Sequence, residues 1–184
     1  MPLINLPPSL QTIVNDLDRR VRKLEQSPQK KPYGNFYSTA TQTAASSASV
    51  YAVTFDSTSE SNFVSVVSSS RVTVERTGVY DIQFSMQLQN SSAQDYDAQI
   101  WFRHNGVDET QSNTVLSVPA KHGSTSGSAV AAWNYLIELS AGDYMELYWW
   151  AENSAVTMPA VGALSSPTRP AIPSVILSIT EVAW

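Results

Sequence analysis

Leu10, Val14, Leu17, Val21 and Leu24 recur at alternating spacings of four and three, and beyond Tyr33-Gly34 no helical spacing of apolar residues returns. The first pattern is a heptad stripe in d-a-d-a-d register, one face of a short coiled coil. The chain beyond Gly34 alternates with period two, the repeat of half-buried strands. It therefore reads as a helical stub in front of a β domain. That order suits a stalked, oligomeric head and is an unusual layout for an enzyme.

Residues 9–26 are the predicted stalk. Ser9 follows Pro7-Pro8 and is placed to cap the helix, while Gln26-Ser27-Pro28 ends it. Ile13 falls at g and widens the apolar stripe, and Arg20 at g can pair with Glu25 at e of a neighbouring helix. Val at a with Leu at d favours two helices in long parallel coils. Against that, Arg20-Val21-Arg22-Lys23-Leu24-Glu25 resembles the Arg-h-x-x-h-Glu motif of short trimeric coiled coils, where h is apolar. Arginine stems there lie over the core while their heads bond a neighbour's glutamate. The trimer is the preferred expectation. Little more than two heptads are too few to hold alone, so a head that gathers the chains must raise their local concentration.

The flanks are short. Residues 1–8 carry Leu3, Ile4 and Leu6 ahead of the proline pair and are expected to dock on another protein. Residues 27–35 hold Pro28, Lys30, Lys31 and Pro32 and read as an extended linker. Residues 1–35 carry a net charge of +3 and residues 36–184 a net of −8, which sum to −5. An acidic head repels nucleic acid, and Arg19, Arg20, Arg22 and Lys23 read as a solvated helix face. The chain has no cysteine, which removes disulfides and thiolate metal sites. Met1 to Pro8 lacks the basic and apolar regions of a secretion signal, and no apolar run approaches the length of a membrane span. Synthesis and assembly in a cytoplasm are expected, without membrane insertion.

Residues 36–184 are the predicted head, and its strands are legible by alternation. Tyr80, Ile82, Phe84, Met86 and Leu88 interleave with Asp81, Gln83, Ser85 and Gln87. Ala98, Ile100 and Phe102 run into the turn signal Asn105-Gly106. Trp133, Tyr135, Ile137 and Leu139 reach Ala141-Gly142-Asp143, then Met145, Leu147 and Trp149 come next. Val175, Leu177 and Ile179 make the last strand. Eight to ten strands in such a length mean an all-β sandwich or jelly roll.

No arrangement of catalytic residues is apparent. His104 and His122 both lie beside turn residues, and no His-x-His pair exists. Asp95, Asp97, Asp108 and Glu109 read as a solvated strand edge, with weak Ca²⁺ binding the less favoured alternative. The loop His122 to Gly127 lacks the lysine of a phosphate loop. Neither a cofactor nor a metal is expected. Tyr144, Tyr148 and Trp150 oppose Met145, Leu147 and Trp149, so both faces of that strand are apolar. Contact with a neighbouring subunit is the leading reading; packing within the chain and stacking on a glycan are the others. Receptor contact is expected in loops, at Ala120 to Gly127 and in the long stretch Glu152 to Pro173 with Met158, Val161 and Leu164.

Thr77-Gly78-Val79-Tyr80, Asn105-Gly106, Ala141-Gly142-Asp143-Tyr144 and an apolar last strand occur in that order. In this the chain resembles the C1q/TNF-like jelly roll over roughly residues 50–184. The resemblance implies a compact trimeric head. The Gly-Phe usual in the last strand of C1q heads is absent from Val175-Ile176-Leu177-Ser178-Ile179, and no collagen stalk is present. Animal calcium and receptor sites therefore do not carry over. The whole layout, with Arg169-Pro170-Ala171-Ile172-Pro173 leading into the last strand, is similar to bacteriophage minor tail, fibre and head-fibre proteins. That implies a homotrimer on the particle surface, joined to other virion proteins through its N-terminus and reaching a host-surface glycan or protein. A carbohydrate-binding module and a secreted C1q/TNF-type signalling ligand are the alternatives.

Overall fold

The computed structural model describes residues 8–26 and 31–183, the side chains of the helix from residue 9 to residue 22. The chain divides into two units, Met1–Lys30 and Lys31–Trp184. In the first, the helix α1 spans Pro8–Gln26. It starts one residue before the expected cap, with Pro8 in the first turn. Proline suits that position because its fixed φ is helical and its missing N–H has no intrahelical partner there. Arg19 pairs with Asp16 at 2.6 Å and Arg22 with Asp18 at 2.9 Å, both along the exposed surface.

The second unit contains, among the described residues, β1 (Tyr33–Ser38), β2 (Gln42–Thr43), β3 (Tyr51–Ala52), β4 (Ser57–Asn62), β5 (Val64–Val67), β6 (Arg71–Val74), β7 (Gly78–Asn90) and β8 (Tyr96–His104). It continues with β9 (Val107–Asp108), β10 (Thr114–Val118), β11 (Gly127–Leu139), β12 (Tyr144–Ala151), β13 (Val156–Met158), β14 (Leu164–Ser165), β15 (Thr168–Arg169) and β16 (Val175–Ala183). One sheet runs β2-β13-β7-β16-β1-β4, with β11 paired to β7 along its whole length. The other runs β10-β8-β12-β6-β5, with β3 on β12 and β9 on β8. The ladders are antiparallel, so each strand buries one face and turns the other outward.

Burial follows the sequence alternation. Tyr80, Ile82, Met86 and Leu88 of β7 are buried, with Asp81, Gln83, Ser85 and Gln87 between them on the outer face. Ile100 and Phe102 of β8, Leu147 and Trp149 of β12, and Leu177 and Ile179 of β16 complete the facing layers. Phe84 meets Phe102 edge-on at 5.9 Å and Trp133 at 4.5 Å, while Tyr135 stacks on Phe102 at 5.2 Å. These ring contacts join the two sheets beneath β11. Asn105 and Gly106 have φ of 48° and 83°, the left-handed pair that a two-residue hairpin turn demands.

Two expected boundaries move. Strand structure begins at Tyr33, inside the stretch assigned to the linker, because β1 pairs with β16 from Tyr33↔Thr180 onward. The stretch from Glu152 to Pro173, expected to be a loop, carries β13, the hairpin β14–β15 and a bridge between Val161 and Ile172. Met158 consequently belongs to the core, with no exposed surface, since β13 extends the sheet beside the end of β7. It is not available as a receptor contact.

Candidate interaction surfaces

The apolar stripe of α1 lies on one face of the helix, and its described side chains are exposed. Leu10, Val14, Leu17 and Val21 are each between 45 and 52% exposed, and Ile13 at g is 55% exposed. Leu24 and Glu25 lie outside the described side chains, and Leu3, Ile4 and Leu6 outside the described residues. The Arg20–Glu25 pair therefore falls there too.

Tyr144, Tyr148 and Trp150 project from β12, an inner strand of its sheet, onto the outer face. Each has a partner in its own chain. The Arg71 guanidinium lies 4.7 Å from the Tyr144 ring and that of Arg103 3.8 Å from the Tyr148 ring. Tyr148 also packs beside Trp101 at 6.0 Å, its cross-strand partner on β8. Trp150 Nε1 donates to the Ser47 carbonyl at 2.6 Å. These contacts account for aromatic residues on both faces of β12 from within one chain.

Beside this aromatic row is a groove of about 410 Å³. Trp101 and Trp150 line it, with Gln99, Asn113, Asp108 and Glu109 around them. Asp108 fixes one wall: Trp101 Nε1 donates to its carboxylate at 2.7 Å and Arg103 Nε at 2.8 Å. The Trp101 bond and the Arg103 charge hold the Asp108 carboxyl below the ordinary carboxylate range. Asn113 Nδ2 donates to Gln99 Oε1 at 2.9 Å. Tyr135 bonds Glu109, and burial together with that carboxylate pushes the phenol pKa up.

The third surface is the free edge of β11. Its thirteen residues carry one charged side chain, Glu138. Val130 and Leu136 are 56 and 59% exposed there, and Val115 on the edge strand β10 is 57% exposed. A long edge strand without lysine or proline is open to pairing or packing by another chain.

The remaining expected polar sites serve turns. Asp143 accepts from Asn105 Nδ2 and from Ser140 N–H, both at 2.8 Å, and its other neighbour is His104 at 3.3 Å. Asp95 accepts from Ala120 N–H at 2.6 Å, and the Asp97 N–H donates to Glu152 at 3.0 Å. Asp95, Asp97, Asp108 and Glu109 form no metal-holding cluster among the described residues. His122 bridges Thr125 across a tight turn. Val161 and Leu164 are exposed. Trp101 and Gln99 are site residues that motif reasoning misses. The signal that could find them is phase: Trp101 stands among the outward positions of β8, where Gln99 and Arg103 are its neighbours.

No family model matches the chain, and no curated protein matches it. Among solved structures, murine APRIL superposes with a TM-score of 0.52 at 12% identity, covering 83% of this chain and all of that one. At that identity the likeness concerns the fold, and the chain is an all-β, TNF-like jelly roll preceded by a short N-terminal helix.

Proposed function

We propose that this chain is a non-enzymatic, homotrimeric appendage of a bacteriophage particle, a tail or capsid fibre whose head contributes to host-surface attachment. The observation that carries the reading is the uncovered heptad face of α1 in the same chain as a TNF-like jelly roll. A helix with such a face gains stability by burying it against copies of itself. Three copies suit the widened stripe at Ile13 and the Arg20-to-Glu25 motif. The bare edge of β11 gives the heads a second surface on which to meet. Leu3, Ile4 and Leu6 join the stalk to another virion protein, and Val161, at its bridge to Ile172, and Leu164, in the β14–β15 hairpin, remain as exposed positions for receptor contact.

Light scattering on the full chain at micromolar concentration tests the assembly, with three chain masses expected and one chain mass refuting it. Antibody labelling of purified particles tests the location. A trimer that labels no particle removes the virion role. Deleting residues 2–8 should leave a soluble trimer that no longer enters particles. The second reading, a signalling ligand, draws on the likeness to APRIL. It requires binding to a cell-surface receptor of an animal cell with no particle involved.

A further inference from the structure

The groove on the outer sheet face has a composition that selects its ligand. Both indole N–H groups there are already spent, Trp101 on Asp108 at 2.7 Å and Trp150 on the Ser47 carbonyl at 2.6 Å. The two rings are thereby pinned; Trp101 is only 9% exposed and forms the floor, so the carbon surface on offer is mainly that of the half-buried Trp150. Around them stand planar amides and carboxylates. The bond from Asn113 Nδ2 to Gln99 Oε1 leaves Gln99 Nε2 as a donor and Asn113 Oδ1 as an acceptor. Trp101 and Arg103 both bond the same Asp108 oxygen, Oδ1, so Oδ2 remains as an acceptor.

Among the described residues, no lysine, arginine or histidine lines this groove. Arg103 is nearby but is held by Asp108 at 2.7 Å and covers the Tyr148 ring. The head as a whole is acidic. Phosphate, sulfate and carboxylate ligands are therefore repelled. A purely apolar peptide would cover Gln99 Nε2, Asn113 Oδ1 and Asp108 Oδ2, the groups these internal bonds leave open, and offer them nothing in return, which is costly on desolvation. The ligand that matches a rigid aromatic face at Trp150, acceptor-rich walls and no cation is an uncharged sugar. Its C–H faces stack on indole, and its hydroxyls donate to carboxylate and amide oxygens.

We infer that the groove lined by Trp101, Trp150, Gln99, Asn113, Asp108 and Glu109 binds a neutral saccharide. For its biological use the inference rests on the attachment reading above. The groove itself lies wholly within one chain, so binding does not require the trimer. Each site is open and shallow, and affinity at one site is weak; copies held together on a particle add avidity.

The test uses the full chain labelled with 5-fluorotryptophan and followed by ¹⁹F NMR. The probes are neutral gluco-, galacto- and manno-oligosaccharides at millimolar concentration, with a sulfated oligosaccharide as the charged comparison. The resonances of Trp101 and Trp150 should move with at least one neutral probe, while those of Trp133 and Trp149 stay fixed. Trp150→Ala should weaken that binding by roughly tenfold, the usual worth of a lost aromatic contact. Asn113→Ala, at an exposed position, should weaken it severalfold with an unchanged melting temperature. Still resonances with every neutral probe overturn the inference. So do shifts with the sulfated probe alone, or equal shifts at all four of these tryptophans. Light scattering on the same samples reports the trimer separately, so a monomer that binds sugar removes the assembly reading and leaves the groove.

Discussion

Asn90, at the end of β7 in one sheet, donates its side-chain amide to the carbonyl of Val118, at the end of β10 in the other, at 3.1 Å. The same Nδ2 reaches the Gln94 carbonyl at 2.8 Å, and Oδ1 accepts from the Ser92 N–H at 2.9 Å. The residue is fully buried. One asparagine thus satisfies three backbone groups where the chain passes between sheets.

Asn90→Ala should cost about 2–3 kcal/mol, since it strands buried backbone groups. For a chain of this size that lowers the melting temperature by roughly 5–10 °C. Asn90→Asp should be worse at neutral pH, because it places a carboxylate oxygen against two carbonyls. That carboxyl's folded pKa is raised above its unfolded value of about 4. Its penalty is therefore present at neutral pH and is relieved as pH falls toward and below about 4. Melting curves of both variants at neutral and acid pH read this out, and an equal gap between them at the two pH values contradicts it.

Gly127 is fixed by a different constraint. A Cβ there would stand 1.8 Å from the Pro119 carbonyl oxygen and 2.6 Å from its carbon. Both neighbours are backbone and cannot swing aside. Gly127→Ala should displace the start of β11 and cost several kcal/mol, on the order of the largest single-residue effects. Gly162 is the control, with nothing within 4 Å of its added Cβ. Gly162→Ala should be neutral or stabilising by up to about 1 kcal/mol through the unfolded state. Denaturant titration of the pair separates them.

The long strands were legible because burial on one face writes itself as alternation, as in Tyr80 to Leu88 and Met145 to Trp149. The turn at Asn105-Gly106 was legible because few residues accept positive φ. Met158 was not. A three-residue strand such as β13 has too few positions to show a period, and it is placed by pairing with a strand nearly 70 positions earlier. The groove was hidden for a related reason. Gln99 and Trp101 come from β8, Trp150 from β12 and Asn113 from the approach to β10, and only the sheet order brings them together. Asp108 and Glu109 stood out as carboxylates, but their partners Trp101 and Tyr135 are contacts of the fold.

Acid should loosen the turn before β12. The Asn105 amide, the Ser140 N–H and His104 hold the Asp143 carboxyl below its ordinary range. A depressed folded pKa contributes stability that is present above the unfolded value near 4 and lost as pH falls through the folded value. Asp108 acts in the same direction through Trp101 and Arg103. Wild-type stability should fall below about pH 4, and Asp143→Asn should flatten that fall. An unchanged acid slope in the variant removes Asp143 from the account.

The stalk and the head should separate in their response to charge. Leu17→Asp puts a carboxylate on the uncovered stripe of α1. It should raise protease cutting near Arg19 and Arg20 and abolish helix association while the jelly roll melts unchanged. If the chain mass also drops to that of one chain, the stalk and not the head is the main assembler.

Leu136→Lys probes the head. Leu136 lies on the outer face of β11 at 59% exposure, opposite Asp81 across the ladder to β7. In a lone chain a lysine there is solvated and faces a carboxylate, so folding should change by no more than about 0.5 kcal/mol. In a trimer that packs this edge, the same lysine is repeated at equivalent contacts and loses its water at each one. The expected outcome is an unchanged melting temperature in dilute solution and a mass reduced below three chains. A variant that keeps the full trimer mass places the head contact elsewhere than the β11 edge. The double variant with Leu17→Asp tests whether the two contacts are separable. If stalk and head contribute independently, each single variant weakens the trimer in part and the double variant leaves a folded monomer.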